Sequence, residues 1–208
     1  MRAIEKLAMS PEGAASLAEN EATLAAIRAE VLELEERELE DGSLDLGSAT
    51  RLGLNYLALT RPRDAAHLLK RLPGKWRESE AAPLANLTSA LLANDWGGAQ
   101  AGLSAAGVWG DAGLSEVAER TAGCLRWACL RVLGAAYSSL ALASLAKMLG
   151  LNAEAARGTA ESLGWALGAT GDLLTPQPFP DSGSNGIGGD INPQLLSTLT
   201  AYASALES

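Results

Sequence analysis

The sequence has few of the residues that metal sites and nucleic-acid surfaces require. Among its 208 residues there are one histidine, His67, and two cysteines. A single histidine excludes a metal site built on two histidines of this chain and leaves only His67 for a Ser–His or Cys–His pair. The 16 basic residues against 25 acidic ones give a net charge of −9. This balance argues against nucleic-acid binding, which depends on clustered Lys and Arg.

Residues that favour β-strands are also scarce. The chain has 4 Val and 4 Ile against 40 Ala and 37 Leu, and Ala and Leu favour helix. Long apolar runs are missing as well, since serines interrupt uncharged stretches such as residues 132–146. We therefore expect a mainly helical protein without a membrane span. Glu5 and Lys6 interrupt the N-terminal stretch, so no signal peptide is predicted.

The first helix is predicted from apolar residues at helical spacing. Ser10 and Pro11 form a favourable helix start, and Leu24, Ile27, Val31 and Leu34 predict an amphipathic helix over 21–40. Its other face is expected to be solvated and carries Glu30, Glu33, Glu36, Arg37 and Glu40.

Short paired helices follow. One pair meets at Arg61–Pro62 and a second at Trp96, which is typical of a tetratricopeptide-like α-solenoid. No clean 34-residue repeat is visible in the sequence. Residues 51–80 carry a net charge of +4. We interpret the basic face of the helix before Pro73 as a solvated or partner-facing surface, formed by Arg63, His67, Lys70 and Arg71.

From Leu114 onward, the pattern becomes helix, short strand, helix, turn, helix and hairpin, the order of a winged helix. Its second helix offers Glu154, Arg157 and Glu161, a set that would repel a phosphate backbone. We therefore predict that this region docks on protein and binds no nucleic acid, with a nucleic-acid-binding winged-helix regulator as the alternative. The residues proposed for that contact are Leu140, Leu142, Trp165, Leu167 and Leu173.

The last 32 residues combine a tether and a helix. Residues rich in Gly, Pro and Ser predict a flexible linker, and a short amphipathic helix follows Pro193. Such a helix must dock on its own domain or on other chains. Its predicted interface residues are Leu195, Leu196, Leu199, Tyr202 and Leu206. The predicted organisation is a helical-repeat region (1–112), a winged-helix region (113–176), a linker (177–191) and a C-terminal helix (192–208).

Three other motifs are interpreted structurally. Cys124 and Cys129 are five residues apart, on different faces of a helix, and are expected to be reduced core thiols. The glycine run 183–189 lacks the spacing of a phosphate loop. His67 has Arg63 and Arg71 as its helical neighbours and lacks an orienting carboxylate. We expect no metal, cofactor or catalytic site.

Several stretches together resemble the PCI superfamily, and within it the family of COP9 signalosome subunit 8. Residues 64–73 (DAAHLLKRLP) are similar to its stretch that begins with Asp and ends in Lys-Arg-(Ile/Leu)-Pro. The resemblance continues at residues 94–96, at Trp109, at residues 135–140 (AAYSSL), and at residues 145–151 (LAKMLGL) with 163–165. It covers roughly residues 50–176. The related proteasome lid subunit and initiation factor 3 subunit k share the fold and stay open as alternatives; the Lys-Arg-Leu-Pro stretch favours the signalosome.

The resemblance implies a small, non-catalytic scaffold subunit of the cytoplasm and nucleus. Its winged helix would join an arc of PCI subunits, with subunit 3 as neighbour. Its last helix would enter a bundle shared by the PCI and MPN subunits. The signalosome removes the ubiquitin-like modifier Nedd8 from cullins, with zinc chemistry on another subunit. One point agrees independently, because a chain with one histidine cannot supply a two-histidine zinc site.

Overall fold

A computed structural model describes residues 11–72, 82–105, 108–110, 112–168 and 171–179, with side chains from residue 19 onward. Within these ranges, eight helices and three short strands follow one another along the chain. They are α1 (Pro11–Asp41), α2 (Leu46–Ala58), α3 (Pro62–Arg71), α4 (Ala82–Leu92), α5 (Trp96–Ser104), α6 (Ala112–Ala136), β1 (Leu140–Ala141), α7 (Leu142–Leu149), α8 (Ala153–Ser162), β2 (Ala166–Leu167) and β3 (Leu173–Thr175). The prediction of a mainly helical chain is confirmed.

The first helix begins at the predicted Pro11 and buries the predicted apolar stripe. Ile27, Val31 and Leu34 lie in the core, and α1 packs against α2 and α6. The prediction that Glu30 belongs to the solvated face is wrong. Its carboxylate accepts a hydrogen bond from the guanidinium of Arg120 on α6 at 2.6 Å and lies 3.6 Å from Arg51 on α2. One charged residue of the Glu-rich helix therefore helps to join three helices.

The two helical hairpins α2–α3 and α4–α5 turn in the same way. Thr60 and Asn94 have left-handed backbones, with φ of 57° and 58°. The residue after each one closes the turn, since Arg61 donates its backbone N–H to Tyr56 O and Asp95 donates to Ala90 O, both at 2.8 Å. The two turns lie 34 residues apart, the period of a tetratricopeptide repeat. The repeat is thus present in the backbone although the sequence does not show it.

The core of the helical repeats is built mainly from leucines. Side chains fully enclosed there include Leu52, Leu57, Leu84 and Leu125. Trp109 joins them, and its indole Nε1 donates to Leu103 O at 3.3 Å. Near the end of α6, Val132 is about half exposed, whereas Leu133 is buried.

After α6, the chain continues through β1, α7, α8, β2 and β3. A glycine directly after an apolar helical stretch predicts a left-handed helix end, and Gly150 has φ of 62° and ends α7. Asn152 caps α8, with its side chain accepting from Ala155 N at 2.7 Å. The strands form one antiparallel sheet in the order β1-β3-β2, with Leu140 opposite Leu174 and Leu167 opposite the same residue on the other side.

Helices α5, α6 and α7 meet at a close junction. The side chain of the buried Gln100 on α5 donates to Ala122 O on α6 at 3.1 Å. A Cβ atom on Gly150 would lie 2.8 Å from Gln100 Cβ, so only glycine fits there without a shift. The described residues up to Pro178 form one compact unit.

Candidate functional site

The five residues predicted for docking in the winged-helix region differ in exposure. Leu140, Leu142 and Trp165 are buried within the chain's own fold. Leu167 is partly buried, and Leu173 is 50% exposed. Of these five residues, Leu173 is therefore the one whose side chain is best exposed for contact with another protein. Buried apolar residues and interface residues share the same sequence pattern, so the sequence did not separate them.

Leu173 lies at the centre of an exposed sheet face. It is on the middle strand β3, directly opposite Ala141 of β1, and both side chains are exposed. Thr175, two residues further on, points to the same face and is also exposed. Because β1 and β2 form the edges of the described sheet, each has a partner strand on one side. This face offers apolar side chains and free strand edges together.

The helix before the hairpin exposes more acidic than basic side chains. Glu154, Arg157 and Glu161 of α8 are all exposed, as is Asp172 in the hairpin. Arg157 turns toward the hairpin, with its guanidinium 3.5 Å from Gly171 O. A DNA-binding helix needs basic and amide side chains directed at the groove and the phosphates. The geometry therefore favours a protein partner over a nucleic acid.

The basic face of α3 is present on the surface. Arg63, His67 and Lys70 are exposed, and none forms an ion pair with a described residue. The spacing of four and then three residues places them along one side of the helix. On the opposite side, Leu68 and Leu69 are buried in the core. Two cations and a histidine along two turns can attract an acidic surface.

Arg71, the fourth residue of the predicted basic face, is already paired inside the chain. Its Nε and Nη2 donate to the two carboxylate oxygens of Glu38 on α1, at 3.1 and 2.9 Å. Such a fork-shaped pair fixes the relative position of the two groups. Arg71 therefore joins α3 to α1, and the open basic face consists of the other three residues.

The chemistry-bearing side chains do not converge on one centre. His67 is exposed on α3, whereas Cys124 and Cys129 are free and buried in α6. Burial raises the pKa of both thiols, to about 11 for Cys129, so they are poor nucleophiles. Across the described ranges, no cluster of three or more His, Cys, Asp or Glu side chains could hold a metal ion.

An open cleft of about 260 Å³ lies between α1, α2 and α6. Its charged lining is mutually paired, with Glu33 3.1 Å from Arg37 and Glu30 3.6 Å from Arg51. Charges that neutralise each other leave no free group for a charged ligand. We interpret the cleft as part of the helix packing.

The predicted C-terminal interface lies outside the described residues. This applies to Leu195, Leu196, Leu199, Tyr202 and Leu206 and to the linker from residue 180 onward. The proposal for that helix therefore depends on its sequence pattern.

Comparison with protein-family models decides the family. The model of the CSN8/PSMD8/EIF3K family matches residues 50–182, which is more than half of the chain and includes every element from α3 to β3. The chain belongs to the CSN8/PSMD8/EIF3K family. It has the mainly helical, PCI-type fold. Members of this family are scaffold subunits of multi-subunit PCI complexes, and these subunits are generally non-catalytic. A search of curated proteins finds no match.

The family match covers two of the surfaces described above. The basic face of α3 and the sheet face around Leu173 both lie inside the matched residues, whereas α1 precedes them. Within the described ranges, no helix is both long enough and apolar enough to cross a bilayer.

One feature of α1 was missed in the sequence. Leu32 and Leu39 are 66% and 85% exposed on the face expected to be only charged. They are seven residues apart, and that spacing was the available signal.

Proposed function

We propose that this chain is the subunit of a COP9 signalosome that corresponds to subunit 8, a scaffold that contributes no catalytic group. The family match supports a PCI scaffold, and the Lys70-Arg71-Leu72-Pro73 stretch favours the signalosome within the family. On this proposal, the chain acts in the cytoplasm and nucleus. It helps to hold together the complex that removes Nedd8 from cullins, and the zinc chemistry is on another subunit.

The observation that carries the assembly role is the exposed sheet face of Leu173, Ala141 and Thr175, beside an α8 that exposes two acids and one base. An exposed apolar side chain on a small sheet with free edges suits a protein neighbour. We propose that this face meets the adjacent PCI subunit, expected to be subunit 3. The C-terminal helix (192–208) would enter the helical bundle of PCI and MPN subunits.

The exposed face of Arg63, His67 and Lys70 supports a second contact. Clustered cations without acidic partners speed association with an acidic surface and orient it. We propose that this face meets an acidic patch on a neighbouring subunit. Its contribution should fall with rising salt, since exposed charges are screened.

The test is native mass spectrometry of complexes purified through the tagged full-length chain. We expect signalosome subunits to co-purify; recovery of proteasome lid or initiation factor 3 subunits instead would assign the chain to one of those complexes and overturn the proposal.

Two matched substitutions test whether the sheet face itself contributes to assembly. Leu173→Glu should weaken co-assembly, while Leu92→Glu should leave it unchanged, because Leu92 is 48% exposed on α4, away from the sheet. Equal effects of the two substitutions would contradict the role of the sheet face. Deletion of 192–208 should also weaken assembly, and a complex unaffected by the deletion would contradict the bundle contact.

A further inference from the structure

The outward face of α1 carries a heptad stripe that no other described element covers. Its residues recur alternately at three and four positions, the spacing of a coiled-coil seam. All of them are exposed, and Leu32 and Leu39 are its large members. The stripe, called here the α1 seam, consists of Ala22, Ala25, Ala29, Leu32, Glu36 and Leu39.

The opposite side of α1 is already occupied. Ile27, Val31 and Leu34 face α2 and α6 in the core. In a stack of helical repeats, a terminal helix normally has a polar outer face, because nothing covers it. Two leucines exposed by 66% and 85% at one heptad's spacing depart from that rule, whereas single scattered leucines would not.

Charges beside the α1 seam define what could cover it. Glu33 and Glu40 each follow a seam leucine and are exposed, and Glu36 lies within the seam. Glu33 pairs with Arg37, whereas Glu36 and Glu40 form no ion pair with a described residue. A second copy of this chain could set the exposed Arg28 against Glu33, but it would place Glu36 and Glu40 mostly against other glutamates, which disfavours self-pairing.

We propose that the α1 seam binds an amphipathic helix of a different protein, with Leu or Ala on its apolar stripe and Lys or Arg opposite Glu36 and Glu40. Alanines at the N-terminal half of the seam permit close helix approach there, and the two leucines supply the apolar contact at the other half. A basic residue opposite Glu36 would pair with the one charge inside the seam. This surface precedes the family match at residue 50, so it adds a contact to those of the proposed function and does not depend on them.

The probe is a designed basic helix of about four heptads, with leucine at the seam positions and lysine on the flanks. A second peptide of the same composition has its seam order scrambled. Binding to the full-length chain is measured by fluorescence anisotropy, and circular dichroism checks that each variant keeps its helix content. We expect the ordered peptide to bind about tenfold or more tightly than the scrambled one.

The matched variants are two pairs of apolar-to-serine changes. Leu32→Ser with Leu39→Ser should weaken binding of the ordered peptide by about tenfold or more. Leu92→Ser with Val132→Ser alters residues of comparable exposure elsewhere and should leave binding unchanged. Equal binding of the two peptides, or equal effects of the two variants, would overturn the proposal.

Two other occupants of the seam would also overturn it. If deletion of 192–208 strengthens peptide binding, the chain's own last helix competes for the seam. If light scattering shows a dimer that the Leu32→Ser and Leu39→Ser variant dissolves, the occupant is a second copy. We expect neither result.

Discussion

Arg126 on α6 donates a hydrogen bond from Nε to the carbonyl oxygen of Leu149, the last residue of α7, at 3.1 Å. A terminal carbonyl of a helix has no partner within the helix and carries the negative end of the helix dipole. The part-buried guanidinium satisfies it and holds the end of α7 against α6. The contact therefore positions the helix that follows β1, and with it the sheet face.

Replacement of Arg126 should loosen this junction. Arg126→Met keeps an apolar stem but leaves the Leu149 carbonyl unpaired, at an expected cost of about 1–3 kcal/mol in the free energy of unfolding. Urea unfolding followed by circular dichroism measures the change. Arg131→Met, on an exposed position of the same helix, should change stability by less than about 0.5 kcal/mol. Equal losses would show that the hydrogen bond to Leu149 contributes nothing specific.

Gly150 should be intolerant of a side chain for two separate reasons. Its φ of 62° is left-handed, and an added Cβ would lie 2.8 Å from Gln100 Cβ. Gly164 also has a left-handed φ, of 74°, but an added Cβ there would meet nothing within 4 Å. Gly164→Ala should therefore show the backbone strain alone, about 1–2 kcal/mol, and Gly150→Ala a larger loss.

The thermal midpoints of the two alanine variants test this expectation. If Gly150→Ala loses no more stability than Gly164→Ala, the close approach of α7 to Gln100 has no energetic weight. The comparison uses one substitution type at two left-handed positions, so that the difference isolates the contact between α5 and α7.

The sequence predicts local features of this fold well. Gly150 as a helix end and Asn152 as a helix cap follow from residue chemistry at single positions, and the stripe of Ile27, Val31 and Leu34 follows from helical periodicity. Such signals concern neighbours within one or two turns, and the structure confirms them.

Features that depend on tertiary packing were harder to predict from the sequence. In the sequence, Glu30 looks like its exposed neighbours. Its partners Arg120 and Arg51 belong to α6 and α2, and only the tertiary fold brings them close to it. In the same way, Trp165 and Leu173 are both apolar residues predicted for docking, yet Trp165 is buried and Leu173 is half exposed. Periodicity shows that a residue is apolar and where it lies on an element, but not which protein covers it.

The pair Glu30–Arg120 is expected to stabilise the three-helix junction. Arg120 Nη2 donates to Glu30 at 2.6 Å and to the buried Asn55 side chain at 2.9 Å. Glu30→Ala should cost about 1–3 kcal/mol, since it removes the acidic partner of a part-buried charge. Glu33→Ala, one turn along the exposed side, should change stability by less than about 0.5 kcal/mol.

A double-mutant cycle with Arg120→Met tests the same pair directly. The loss from Glu30→Ala should shrink when Arg120 is already replaced, because the two residues act on each other. Additive losses in urea unfolding would indicate that Glu30 acts through Arg51 or through helix propensity.

Asp45 gives a pH dependence whose sign follows from its hydrogen bonds. Its side chain accepts from Ser48 N at 3.0 Å at the start of α2, and hydrogen bonds from Ser48 hold the pKa of this carboxyl below its ordinary value. A lowered folded pKa gives stability that is present above the ordinary pKa of about 3.9 and is lost as the pH falls through the folded value.

The variants Asp45→Ala and Asp45→Ser separate the charge from the cap. At neutral pH, Asp45→Ala should lose about 1 kcal/mol, and this difference from the original chain should shrink below about pH 3.9. Asp45→Ser keeps a neutral cap, so its advantage over Asp45→Ala should be the same at both pH values. Urea unfolding at neutral and acidic pH measures the three proteins. A loss from Asp45→Ala that stays constant through the acidic range would mean that the Asp45 charge does not stabilise α2.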